Sequence, residues 1–390
     1  MRNRIYLDHA ATTAVSPEVL EEMIPYFTEF YGNPSSLYDL SYPSKDAIAE
    51  ARGQVAGLIN CDPSELFFTS CGSESDNWVL FGVADAQRKK GGHIITTSIE
   101  HHAILHTGDF QRKHGLDVTY LPVDEEGFIT PEVLEAAIRP DTVLISVMYV
   151  NNEVGTVQNI KKLAEIAHAH GITFHTDAVQ ALGNVNCDVK ELGVDLMSMS
   201  AHKIYGPKGV GALYIKKGTR ISNYLHGGAQ ESKHRAGTEN VPGIVGFGKA
   251  AALAKEHFAE HVQHSSSLRD YFVERVLTEI PHTYLNGSRE HRHPGNANIT
   301  FEYIEGESIL LMLNHYGISV STGSACSSAS LTPSHVLSAM GIPAEIIHGT
   351  IRFTVGDMTT KEDLDYTVDR LKEIVAKLRE ISAVSEEKGW

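Results

Sequence analysis

Cysteine is scarce in this chain. Four residues in 390, Cys61, Cys71, Cys187 and Cys326, stand far apart with no pairing pattern. A disulfide framework is not expected at this length, and a reducing compartment, the cytoplasm, is. Long apolar runs are missing too. No stretch approaches about 18 uninterrupted apolar residues, and the opening MRNRIYLDHAATT holds no run of signal-peptide length. Neither a membrane span nor a secretory leader is expected. Positive charge is in deficit: 33 Lys and Arg face 49 Asp and Glu, for a formal net charge of −16. Nucleic-acid binding needs a basic surface to displace counterions and is therefore not expected.

Histidine, by contrast, is plentiful, with 21 residues. They are scattered, and no HExxH, CxxC or paired Cys/His spacing of the zinc type occurs, so no metal site is expected. The hydrophobic fraction of 42% and charged fraction of 21% are those of a globular protein. Short β-branched runs at 93–101, 117–123, 142–150, 172–178, 195–203 and 211–217 read as strands. Between two of them, 159–171 reads as an amphipathic helix closed by Gly171. Strand–helix–strand repetition means an α/β layer structure around a largely parallel sheet, with ligands beyond the strands' carboxyl ends. A single long helix-like run, 244–280, leads to a last third that reads as a smaller α+β domain.

The segment TSCGSESDN (69–77) follows the strand-like LFFTS and opens a helix. Gly72 and Ser73 then fall at a helix N-terminus, which favours a phosphate; ordinary capping uses the same residues. Lys203 ends a strand-like run. A lone lysine there is normally a surface charge, but burial lowers a lysine's pKa and fits it for a Schiff base. Asp177, ending another strand, tips the balance. Pyridoxal phosphate needs a lysine for its aldehyde and an acid for its ring nitrogen. His101 is placed to lie over a planar ring, and Asn152 and Gln180 to bond its phenolic oxygen. Ser200 and His202 flank the lysine, and Thr238 offers another phosphate donor. Cys326, in STGSACSSAS, has polar neighbours that favour an accessible thiolate over a buried structural cysteine. Arg352 is suited to clamp a carboxylate, or else to salt-bridge within a strand. Cys61, Cys71 and Cys187 read as structural, with Cys71 closest to the phosphate turn.

Taken in order, YLDHAATT (6–13), YGNPSS (31–36), TSCGSESDN, EHHAIL (100–105), VNNEVG (150–155), HTDAVQ (175–180), SAHKIYGPKGVG (200–211), RAGTEN (235–240), STGSAC (321–326) and IRFTVG (351–356) resemble the NifS/IscS-type cysteine desulfurases of the class V aminotransferase family. The resemblance runs from about residue 5 to residue 375 and is most specific around Lys203 and Cys326. It implies a fold-type I pyridoxal-phosphate transferase with a mostly parallel seven-stranded sheet. A large domain would span 16–260, and a small α+β domain built from 1–15 and 261–390 would carry the catalytic cysteine. It further implies a homodimer with active sites at the subunit interface.

By the same resemblance, Lys203 carries the cofactor, Asp177 pairs with the ring nitrogen, and His101 stacks on the ring and moves protons. Asn152 and Gln180 hold the phenolic oxygen. Gly72, Ser73, Ser200 and His202 bind phosphate, with Thr238 reaching in from the partner. Arg352, with Asn33 and Asn152, binds the substrate carboxylate. Cys326 becomes a persulfide as L-cysteine is converted to L-alanine, and an iron–sulfur scaffold or a tRNA-thiolation protein receives the sulfur. Two positions depart from the pattern: Asp357 follows Gly356 where many members have arginine, and Tyr38 stands where many have histidine. A selenocysteine lyase, another transaminase or lyase of the same fold, and a silent sulfur carrier are the rival readings.

Overall fold

The computed structural model describes residues 4–322 and 333–383. Cys326 lies outside the described residues.

Strands and helices alternate as expected. β1 (Ile5–Tyr6) precedes α1 (Pro17–Met23) and α2 (Tyr42–Leu58). Next come β2 (Leu66–Thr69), α3 (Gly72–Ala86), β3 (His93–Thr97), α4 (His102–Lys113) and β4 (Asp117–Leu121). Then follow β5 (Thr142–Ser146), α5 (Ile160–Ala169), β6 (Thr173–Asp177), β7 (Leu196–Ser200) and β8 (Gly211–Ile215). Seven of these strands form one sheet in the order β2-β8-β7-β6-β5-β3-β4. All neighbours are parallel except β8, which is antiparallel to both β2 and β7.

The reason lies in the residues. HIITT and TVLIS are buried at every position, as parallel strands covered on both faces must be. Successive side chains enter opposite cores: Ile94 joins Trp78 and Val79 of α3, whereas Ile95 joins Leu163 of α5 and Phe174. Asn159 caps α5 by accepting the Lys162 N–H, and Gly171, at φ 64°, turns the chain out of it.

Two expectations need correction. The run 244–280 is not one helix but α6 (Val241–Glu256) and α7 (Phe258–Glu279), parted at His257. Phe247 of α6 packs into the sheet's core and Phe272 of α7 into a separate one, so the axis has to be redirected between them. The strand read over 195–203 stops at Ser200, and Ala201–Lys203 form a single 3-10 turn.

The last third holds β9 (Thr283–Leu285), β10 (Asn296–Phe301), α8 (Gly306–His315), β11 (Ile318–Ser319), β12 (Thr350–Thr354) and α9 (Lys361–Ile381). β12, β10 and β9 make an antiparallel sheet, while β1 pairs in parallel with β11. Ile5 and Leu7 share a core with Phe272, Phe353 and Leu364. The beginning of the chain is thus built into its end. Among the described residues, no helix is long and apolar enough to cross a membrane.

Candidate active site

Five strands deliver side chains to one edge of the sheet. Gly72 follows β2, His101 follows β3, Asn152 and Glu153 follow β5, Asp177 ends β6, and Ser200 ends β7 with Lys203 one turn beyond. Together with Ala10, Ala11, Gln180, His202, His335 and Arg352 they line a cavity of about 280 Å³, near the lower end of small-molecule sites. Lys203 also borders a larger cavity of about 1030 Å³, beside Thr12, His261 and Asp357. None of the other expected site residues reaches that one, so the chemistry belongs to the smaller cavity.

Lys203 Nζ donates to the carbonyl oxygen of Ala11 at 2.9 Å and to that of Ala10. Asp177 is buried, with Oδ1 accepting the Val179 N–H at 2.9 Å. Burial pushes its pKa up to about 6, against the Val179 hydrogen bond and the Lys203 charge, which lower it. Burial likewise pushes His101 down to about 4, aided by Lys203. Its Nδ1 accepts the Ala103 N–H at 3.1 Å, so the neutral ring carries its proton on Nε2. His202 is also driven down to about 4 by burial, and its Nδ1 shares a 3.0 Å hydrogen bond with Thr12 Oγ1. Arg352 donates from Nη1 to the Asn152 carbonyl and from Nη2 to Asp8 Oδ1, both at 2.8 Å.

The match to the aminotransferase class-V model runs over residues 5–367. The chain belongs to the class-V aminotransferase family. It is 55% identical over 381 residues to the cysteine desulfurase IscS of Methanosarcina thermophila, covering 98% of this chain and 94% of that one. The Dictyoglomus turgidum protein of the same name is 54% identical over 387 residues, covering 99% and 98%. A solved NifS-like protein from Rickettsia africae superposes with a TM-score of 0.86 at 29% identity, covering 96% of this chain and all of that one.

Pyridoxal phosphate is the cofactor of this class-V chain, and the residues present fit it. Ser200 Oγ is buried without a hydrogen-bond partner among the described residues, as a hydroxyl waiting on a phosphate should be. Gly72 opens α3, and a Cβ there would stand 2.5 Å from Val179 Cγ2, so the residue keeps the turn thin where amides line the cavity. A wholly buried carboxyl such as Asp177 calls for a cation, which a protonated ring nitrogen provides.

Most of the residues expected from sequence converge here: Lys203, Asp177, His101, Asn152, Gln180, Gly72, Ser73, Ser200, His202 and Arg352 all line the cavity. Gln180 Nε2 is already committed to the Ala10 carbonyl at 2.9 Å, leaving its amide oxygen for other contacts. Two do not arrive. Asn33 is exposed, its side chain spent on the Ser35 N–H, and Thr238 is exposed outside the cavity. Of the two departures, Tyr38 is exposed and Asp357 pairs with His261.

Sequence reasoning passed over Glu153, Asp76 and His335. Glu153 is 2% exposed, and its Oε2 accepts the Ser334 hydroxyl at 2.5 Å. His335 Nε2 donates to the Glu100 carbonyl at 3.0 Å. In VNNEVG, Glu153 stands between Asn152 and Val154, a turn-like setting that does not single it out. Cys71, read as structural, turns out to line the cavity wall, whereas burial pushes the Cys61 and Cys187 thiols up to about 12.

Proposed function

We infer that this chain is a pyridoxal-phosphate-dependent cysteine desulfurase, which takes sulfur from L-cysteine, releases L-alanine and passes the sulfur to acceptors. One observation carries the reading: Lys203 and the buried Asp177 meet in one cavity in a chain more than half identical to cysteine desulfurases. Purified protein given L-cysteine and a thiol reductant should release alanine and sulfide in equal amounts. Activity confined to selenocysteine, or none with a colourless protein after added cofactor, would sink it.

When bound, the cofactor supplies an aldehyde carbon and a protonated ring that takes up the electron pair of a substrate carbanion. Lys203 holds that carbon and, with His101, moves the proton on substrate Cα. Asp177 keeps the proton on the ring nitrogen. Asn152 and Gln180 orient the phenolic oxygen, and Gly72, Ser73, Ser200 and His202 hold the phosphate. The Cys326 thiolate attacks the substrate sulfur; the S–S bond forms as the C–S bond breaks, and Cβ gains a proton to give alanine. Chain connectivity supports this role. Cys326 follows Ser321 by five residues in the sequence, and the Ser321 backbone pairs with that of Arg352, which lines the cavity.

Arg352, with Asn33, binds the substrate carboxylate. Lysine keeps the charge and loses the two-pronged donor. Arg352→Lys is therefore expected to raise the KM for cysteine roughly tenfold, with a smaller change in kcat; steady-state kinetics checks it.

The protein works as a homodimer. Asn33 and Thr238 stand outside the cavity of their own chain, and Phe27, Tyr31 and Leu37 expose apolar surface, Leu37 to 94%. Light scattering should return twice the mass of one chain, and Thr238→Ala should weaken cofactor retention without changing that mass. Residues 16–260 form the large domain, and 1–15 with 261–390 the small one; the separate cores around Phe247 and Phe272 support the division. An iron–sulfur scaffold or a tRNA-thiolation protein in the cytoplasm is the acceptor we favour, and the net charge of −16 suits a protein partner better than a nucleic acid.

A further inference from the structure

A second carboxyl stands in the wall of this cavity without a role in the scheme above. Asp76, in the second turn of α3, is 1% exposed, and its Oδ1 has no hydrogen-bond partner among the described residues. Its Oδ1 lies 3.8 Å from Nε2 of His175, which is fully buried on β6. His175 is fixed between two hydroxyls, Ser146 Oγ at 2.9 Å from Nδ1 and Ser198 Oγ at 3.0 Å from Nε2. A hydrogen-bonded row of Ser146, His175 and Ser198 therefore crosses β5, β6 and β7 beneath the cavity, with the Asp76 carboxyl at its edge beside His175.

The protonation of its members follows from their setting. Burial keeps His175 neutral, with its pKa pushed down to about 3. A neutral imidazole has one donor and one acceptor nitrogen, so the row runs in one of two polarities. Either Ser146 donates to His175 and His175 to Ser198, or both bonds are reversed. Burial raises the Asp76 pKa, as do Asp177, Glu100 and Cys71. His175 beside it is kept neutral by burial, and a cation in the same cavity wall, Lys203, donates to the Ala10 and Ala11 carbonyls. An ionised Asp76 would be a buried anion with one oxygen unbonded, beside the carboxyl of Asp177. Burial and that neighbour both favour the protonated acid.

We propose that Asp76 is a positioning residue of the cofactor site: it keeps its proton at neutral pH and leaves Asp177 as the one ionised carboxyl beneath the ring nitrogen. The proposal rests on the reading of the cavity as the pyridoxal-phosphate site. Two carboxylates in one buried space compete for ionisation, and the loser takes up a proton. A protonated Asp177 has no charge with which to hold the ring proton, and the electron sink weakens. Burial and the neighbouring Asp177 carboxyl assign the proton to Asp76, and the row fixed by Ser146 sets His175 beside it.

The test is an infrared difference spectrum, wild type minus Asp76→Asn, taken at neutral pH with and without bound cofactor. The carbonyl stretch of a protonated carboxyl is expected in both spectra; Glu100 is common to both proteins and cancels. Asp76→Ala should lower kcat roughly tenfold with KM for cysteine within about twofold, and should shift the pH midpoint of the cofactor absorbance. Asp76→Asn should recover most of that loss, because an amide keeps a neutral donor in the same place. A carboxylate stretch in place of the carboxyl band overturns the proposal. So does an asparagine variant as impaired as the alanine one. A protein that never takes up the cofactor would defeat the reading of the site instead, while the band in the bare protein still reports on Asp76.

Discussion

Lys203→Ala is expected to purify colourless, to hold pyridoxal phosphate only loosely, and to turn over cysteine at least roughly 10³-fold more slowly. The size of the effect follows from the two tasks given to one amine. In the proposed scheme Lys203 fixes the aldehyde carbon and moves the proton on substrate Cα. Among the described residues no other lysine lines the cavity to replace it. The fold should survive, because β7 and the 3-10 turn after it are set by buried residues such as Met197, Met199 and Ala201. Circular dichroism separates the outcomes: an unfolded variant says nothing of chemistry, whereas a folded variant that stays yellow would reject Lys203 as the anchor.

The second large effect concerns Cys326→Ser. Serine keeps the size of the side chain and removes the thiolate, the attacking species in sulfur transfer. Sulfide and alanine formation under reductant should fall by roughly 10³-fold or more, while cysteine still changes the cofactor spectrum. Full activity in the variant would transfer the sulfur-accepting role elsewhere, and Cys71 in the cavity wall would be the first place to look. The double variant Cys71→Ser, Cys326→Ser settles which thiol takes the sulfur.

Much of this was legible in the sequence because the signals are local. Five-residue β-branched runs announce buried parallel strands, and the residues just past their ends define the site edge, which is how Asp177 and Lys203 were found. The break at His257 was not legible, since helical periodicity continues across it and only the two cores decide where the axis turns. Asp76 escaped for a similar reason. Inside SESDN it reads as one more polar residue near a helix start, and only the strand order places His175 and Ser198 under it. Asn33 and Thr238 lie beyond what one chain's cavity encloses; the role of Asn33, and the reach of Thr238 from a partner, drew on resemblance alone.

The seam between the ends of the chain has a consequence for how the protein is made. The Ala10 amide is held by the Thr354 hydroxyl at 2.9 Å, the Ile5 amide by the Gly317 carbonyl, and the Ala10 and Ala11 carbonyls hold Lys203. A ribosome adding about 5–20 residues per second needs roughly 20 to 70 seconds to get from the first of these partners to the last. Once β8 is made the seven-stranded sheet can form and Lys203 can reach the Ala10 and Ala11 carbonyls, but the seam of residues 5–11 stays incomplete until Gly317 and Thr354 arrive. Competence to bind the cofactor firmly is thus acquired at the close of synthesis, and a nascent chain stalled before Thr354 carries Lys203 in an unfinished pocket.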